Sequence, residues 1–257
     1  MLIILPPSET KRPPLDHGRP VAMDELSFPA LAATRERVAE ALVATSAGPD
    51  AFARLGVRPT LAAQVARNTH LFELPASPVL DVYAGPLHQG LDAASLSPAA
   101  RGRASREVVV TSALWGALRP ADAIPPYRLD VCAHLLDMEP LESTWRDILP
   151  GVLAEAAGSS GVVVDLRSPG YQAMGVPTGP GPGTVRLRVA QEGFGGRRIG
   201  DVIAKRVRGQ AARYLLESGE DPGDAGELAG LLGERWPVDL APTGPRGTST
   251  LTLFVTG

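Results

Sequence analysis

The chain has 257 residues, 44% hydrophobic and 21% charged, which is enough for a substantial buried core. Its formal net charge of −3 gives no global positive field toward nucleic acid or anionic lipid, so any such binding must come from a local patch. There is no run of about 18 apolar residues to mark a membrane span, Met1 leads straight into LIIL without a secretory basic region, and the single cysteine, Cys132, excludes an intramolecular disulfide, so a cytoplasmic protein with no membrane partner is expected.

Leu2–Leu5 reads as a short buried strand, and Pro6–Lys11 as the loop leaving its C-terminal end, the side where open α/β sheets take ligands. Ser27 is placed to cap a helix over 29–45, with Leu31, Val38 and Leu42 on one face. Two short helices follow, over 50–55 and 59–68, joined at Leu55-Gly56-Val57. This stretch is similar to a helix-hairpin-helix, which binds DNA backbones by presenting N–H groups to phosphate. Arg54, Gly56 and Arg58 would make that contact with double-stranded DNA, although Arg58 stands where a second glycine is usual. An ordinary helical hairpin fits the same pattern.

Val79–Tyr83 reads as a strand, and 97–106 as a helix with Ser97 as cap and Pro98 at its first position. Val108–Ser112 is a β-branched, buried strand. Cys132, between Val131 and Ala133, reads as a small buried hydrophobe. Leu141–Ala157 is predicted helical, with Trp145 in the core, and Val162–Leu166 is predicted as a strand. The Gly/Pro-rich stretch 175–183 is a loop that lacks the lysine and Ser/Thr of a phosphate-binding P-loop. Val185–Val189 reads as a strand. The clearest amphipathic helix is 199–217, with Ile199, Val202, Ile203, Val207, Ala211, Tyr214 and Leu215 as its apolar stripe. Residues 220–233 are polar with glycine breaks before a short helix, and Thr250–Val255 is a final strand. With no internal repeat, the expectation is one α/β domain over 1–257, a mixed sheet flanked by helices.

The run Thr111–Asp130, TSALWGALRPADAIPPYRLD, carries the most information. Three prolines stiffen a loop that bears Arg119, Asp122, Tyr127, Arg128 and Asp130 directly after a buried strand. Arg119 with Asp122, and Arg128 with Asp130, equally read as ion pairs bracing that loop. The run resembles the hallmark of the YaaA family of bacterial peroxide-stress proteins, L-x-G-L-[YW]-G-x-L-R-P-x-D-x-I-x-P-Y-R-L-[ED]. LIILPPSETK, VVVDLRSPGY and KRVRGQAARY are weaker matches in the expected order. Gly170 stands where the family pattern has glutamate, and the closing E-L-x-F-x-R becomes LTLFVT, which marks a divergent, actinobacterial-like branch. The resemblance implies a role in limiting iron-linked oxidative damage, with DNA as partner.

Of 25 basic residues only Lys11 and Lys205 are lysines. A bias toward arginine, alanine, glycine and proline, as in a GC-rich genome, would convert tolerant lysines, so these two are candidates for a compact, titratable ammonium. Asp201, Lys205 and Arg208 share one helix face, and Gly209 beside them suggests a close approach. The expected ligand-binding set is therefore Ser8, Lys11, Arg119, Asp122, Arg128, Ser168, Tyr171, Arg208 and Arg213, with Lys205 and Tyr127 as candidate catalytic groups. Such a pocket suits a small anionic or nucleotide-like molecule. His17, His70, His88 and His134 show no metal-ligand spacing, so neither metal nor cofactor is expected.

Overall fold

The computed structural model describes residues 1–159, 161–178, 183–191, 200–244 and 247–255. Its strands are β1 (Leu2–Leu5), β2 (Ser77–Pro78), β3 (Val108–Ser112), β4 (Gly116–Leu118), β5 (Ala123–Ile124), β6 (Val163–Asp165), β7 (Thr184–Gln191), β8 (Val238–Ala241) and β9 (Thr248–Val255). One 7-stranded sheet runs β4-β3-β1-β6-β7-β9-β8, and β2 with β5 forms a separate ribbon. The strands from β3 across to β9 are parallel, and β4 and β8 close the two edges antiparallel. The expected mixed α/β sheet is therefore present. LIIL of β1 and VVVTS of β3 are buried at every position, as parallel strands covered on both faces require.

The connectivity matters for the site. From β1 the chain reaches β3 on one side and then returns past β1 to β6 on the other. The loops leaving β1 and β6 therefore border the crevice where open α/β sheets bind ligands.

Several local expectations are corrected. Val79–Val82 is a short helix after Pro78 rather than a strand, because four residues, VLDV, are too few for periodicity to separate the two. The 141–157 helix is interrupted: Leu141–Arg146 and Leu149–Ala157 are separate, with Pro150 in the first turn of the second. Ser27 does not cap the first long helix, Ala32–Ala47; its N–H and hydroxyl both donate to the Asp122 carboxylate. Cys132 is exposed while Val131 and Ala133 beside it are buried. Burial and then Asp130 hold its thiol above the usual range, so it is no ready nucleophile.

The long helix Asp201–Ser218 buries Ala204, Val207, Ala211, Ala212, Leu215 and Leu216, whereas Val202 and Ile203 are exposed; Ile199 lies outside the described residues. Its Gly209 is a point of close approach, as expected, but what approaches is the helix Pro86–Leu91. A Cβ on Gly209 would lie 1.9 Å from the Leu87 carbonyl oxygen, and one on Gly90 would lie 2.1 Å from that of Arg206. The hallmark loop is anchored by Arg35, a fully buried arginine that sequence reading passed over. Its guanidinium donates to the carbonyls of Ser27, Trp115 and Ala117 at 2.6–2.9 Å. No helix among the described residues is long and apolar enough to cross a membrane.

Candidate functional site

The loops leaving β1 and β6 wall a cleft of about 480 Å³. The β1 loop contributes Pro6 to Thr10, and the segment Gly85–His88 forms a second side. Asp130 comes from the hallmark loop, Ser168, Pro169 and Tyr171 follow β6, and Asp201, Lys205 and Arg208 project from the first turns of the long helix. Hollows of about 560 and 530 Å³ along the outer side of that helix are lined by helical and loop residues and include no strand exit.

The lining carries both signs of charge. Lys205 Nζ lies 2.6 Å from Asp201 Oδ2, one turn back on the helix. Arg208 is half-buried, and its buried Nε has no hydrogen-bond partner among the described residues. Burial lowers its guanidinium below the usual range, opposed by Asp201 and Asp165. At the base of the β6 loop, Asp165 and Arg167 form a fully buried pair at 2.8 Å. Arg167 also donates to the carbonyls of Tyr171 and Gly175, which fixes the curve of that wall.

Beside the β1 loop lies a compact cluster. Lys11 Nζ donates to the Ser8 carbonyl at 2.7 Å and lies 4.0 Å from the Tyr127 ring centroid and 5.4 Å from that of Tyr83. Tyr127 Oη is 2.7 Å from Ser112 Oγ and 2.8 Å from Tyr83 Oη. Ser112 Oγ already accepts from the N–H groups of Leu114 and Trp115, so its own hydrogen is directed at Tyr127. Burial pushes the Tyr127 phenol up to about 12, with the Ser112 and Tyr83 hydroxyls pulling it down. Burial, then the charge on Arg128, lowers the Lys11 amine to about 7, against the pull of Glu9 and Asp130. Arg128 pairs with Glu9 at 2.7 Å.

Of the residues expected at the site, Ser8, Ser168, Tyr171, Lys205 and Arg208 border the cleft, and Lys11, Tyr127 and Arg128 form the cluster beside it. Three others are engaged elsewhere in the framework. Asp122 accepts from Ser27 and from the Arg119 N–H. Arg119 donates to the carbonyls of Arg106 and Val108 and stacks on Phe28. Arg213 holds the carbonyls of Leu91, Asp92 and Ser95 at the end of the Pro86–Leu91 helix. Sequence reading names His88 only as lacking metal-ligand spacing; it is buried with Nε2 3.1 Å from the Pro6 carbonyl oxygen, and the sequence signals neither that contact nor the pairing of Ser112 and Tyr83 with Tyr127. Only tertiary contact reveals these, since the partners are far apart in the chain.

The hairpin around Gly56 is two short helices, Ala51–Leu55 and Ala62–Asn68, the second preceded by a 3-10 turn at Pro59–Leu61. Gly56 is left-handed at φ 63°. Arg58 is exposed and Arg54 half-buried. The geometry is that of a helical hairpin and does not single out a DNA-binding one.

A family model described as peroxide stress protein YaaA matches residues 1–234. The chain is 40% identical to a UPF0246 protein of Streptomyces coelicolor over 235 residues, covering 90% of this chain and 89% of that protein. It is 36% identical to one of Corynebacterium efficiens over 233 residues, covering 90% and 91%. A relative from Corynebacterium glutamicum is 31% identical over 265 residues, covering 99% and 100%.

Proposed function

This chain belongs to the YaaA family of peroxide stress proteins, and from that premise we propose that it serves the response to peroxide by binding a small anionic, nucleotide-like ligand in the cleft between the β1 and β6 loops. The observation that carries this reading is Arg208, whose buried Nε has no partner among the described residues while its side chain lines the cleft beside Lys205. A guanidinium donor left without a partner costs stability unless an acceptor arrives, and a phosphate or carboxylate is the acceptor that an arginine fork fits best. Ser8 and Ser168 add hydroxyls, and Tyr171 adds an aromatic wall. Lys205, held 2.6 Å from the Asp201 carboxylate, lines the cleft beside Arg208 and adds a second cationic group to the binding set.

Calorimetric titration with AMP, ADP and inorganic phosphate tests the reading. At least one should bind, and Arg208→Gln should weaken it about tenfold or more, the scale of a lost charge-assisted hydrogen bond. No binding by any of the three, or equal binding by the variant, would refute it.

Duplex DNA is the second reading, favoured by exposed Arg58 and by Arg54 flanking the left-handed Gly56. It requires an affinity that falls steeply with salt and weakens when Arg54 and Arg58 are both changed to glutamine. Pro59, at the start of the 3-10 turn, has no N–H to offer a phosphate, and this weighs against the hairpin.

A further inference from the structure

The lysine that binds ligand and the lysine suited to chemistry are different residues. We propose that Lys11 is a nucleophilic amine, placed to form an imine with the carbonyl group of a small anionic molecule bound in the cleft, with Tyr127 as its proton donor. The inference deepens the anionic-ligand reading and rests on it.

The geometry around Lys11 differs from that around Lys205 in every respect that matters. Lys11 Nζ has one hydrogen bond, to the Ser8 carbonyl, and no carboxylate within ion-pair distance among the described residues. The nearest acid in sequence, Glu9, is already taken by Arg128. Two aromatic faces, Tyr127 and Tyr83, replace water on its other sides. Among the described residues, the charged and titratable groups that face it are Glu9 on its own loop, Arg128, Asp130 and Tyr127 on the hallmark loop, and Tyr83 and His88 opposite. Desolvation with an adjacent cation is the arrangement that activates an amine as a nucleophile. It leaves Lys11 near neutral pH, at about 7. Its Nζ donates to the carbonyl of Ser8, a residue that lines the cleft, so the amine sits directly behind that wall.

The step balances without an oxidant or a further reactant. The Nζ lone pair attacks the carbonyl carbon, and the π pair moves to oxygen. Nitrogen gives up one proton and oxygen gains one, which yields a carbinolamine. The nitrogen lone pair then forms the C=N bond as the hydroxyl leaves as water with a proton from Tyr127, and nitrogen's second proton passes back to the Tyr127 phenolate. Tyr127 is held for this by Ser112, whose hydrogen points at its oxygen, and by Tyr83, which can share its proton.

The chain's scarcity of lysine makes the test direct, because its primary amines are the N-terminus, Lys11 and Lys205. The full-length protein is treated with pyridoxal 5′-phosphate, used as a probe that joins an aldehyde to a phosphate, reduced with borohydride and mapped by mass spectrometry. Lys11 should carry the label at pH 7.5, with a rate that rises through about pH 7. Tyr127→Phe should slow this labelling about tenfold or more in a protein of unchanged circular dichroism. Labelling confined to Lys205 or the N-terminus, or labelling of Lys11 only above about pH 9, would overturn the inference. Pyridoxal without the phosphate separates the two readings. If it labels Lys11 as fast as the phosphate ester does, the amine stands and the anion site falls. If the ester binds reversibly in competition with phosphate but never labels Lys11, the anion site stands and the amine falls.

Discussion

The side chain of Asn68 grips both backbone polar groups of Arg128: Oδ1 accepts from its N–H at 2.8 Å, and Nδ2 donates to its carbonyl at 2.9 Å. Nδ2 also reaches Ser46 Oγ at 3.1 Å. The last residue of the Gly56 hairpin thus holds the loop that presents Tyr127 to Lys11. Asn68→Ala would leave the Arg128 backbone groups buried without partners, at a cost on the order of 3 kcal/mol. Urea unfolding should show this as a lower midpoint at unchanged slope. An unchanged midpoint would mean that water replaces the amide and that the hairpin does not support the loop.

Contact between the long helix and Pro86–Leu91 sets the distance between two walls of the cleft, and it depends on having no side chain at two positions. Gly209→Ala or Gly90→Ala would push a methyl group into a backbone carbonyl, 1.9 Å and 2.1 Å away respectively. Neither carbonyl can move without its helix, so a loss of about 3 kcal/mol or more is expected. Gly230→Ala is the control, since that exposed helical position has nothing within 4 Å and should gain about 0.5–1 kcal/mol from propensity. Thermal melts of the three variants check this ordering, and a Gly209→Ala protein as stable as the parent would show that the helices can part.

Much of this arrangement was legible in the sequence where chemistry and periodicity agree. The all-apolar runs LIIL and VVV, the cap at Ser97 and the span of the long helix all appear close to where the residues place them. The meeting of Ser8, Ser168, Lys205 and Arg208 was also legible, because loops leaving neighbouring parallel strands open on the same side. Two kinds of fact were hidden. The first is the division of labour among like residues: Arg119, Arg128, Arg167, Arg208 and Arg213 are chemically equivalent in the sequence, yet Arg128 and Arg213 are engaged by groups more than 100 residues away, Arg119 by the carbonyls of Arg106 and Val108, and Arg167 by Asp165 two residues before it. The second is the assignment between the two lysines. Helix spacing pointed to Lys205, but the same spacing places Asp201 against it, whereas the desolvation of Lys11 arises from tyrosines at 83 and 127.

His88 makes the stability of the fold sensitive to acid. Burial lowers its imidazole to about 4 from an ordinary 6.5; the Pro6 carbonyl opposes the shift and the charge on Lys11 adds to it. Between those values the unfolded chain binds a proton that the folded chain does not. The contribution of His88 is therefore fully present above about pH 6.5, is lost as pH falls toward about 4, and changes no further below that. Lys11 contributes in a separate window, because its shift lies between about 7 and 10.5 and leaves it charged in both states below that range. Denaturant melts from pH 7 to 4 should show the midpoint falling for the parent. His88→Gln, whose amide can still donate toward Pro6, should flatten that slope. An equal slope in both proteins would assign acid sensitivity to the carboxylates.

The Asp165–Arg167 pair holds up the β6 wall from below, with both side chains fully buried. Asp165 Oδ1 accepts from the Arg167 N–H at 3.0 Å and from its Nε at 2.9 Å, and Oδ2 accepts from the terminal nitrogen at 2.8 Å. Removing one partner strands a buried charge, so Arg167→Ala should cost about 3–5 kcal/mol. It would also free the carbonyls of Tyr171 and Gly175 that shape the wall. Neutralising both residues, as Asp165→Asn with Arg167→Met, removes the stranded charge and should recover a substantial part of that loss. The double variant should still bind phosphate more weakly than the parent, because Ser168 and Tyr171 are no longer held in place. Recovery of binding along with stability would show that the pair serves folding alone and that the β6 loop finds its position without it.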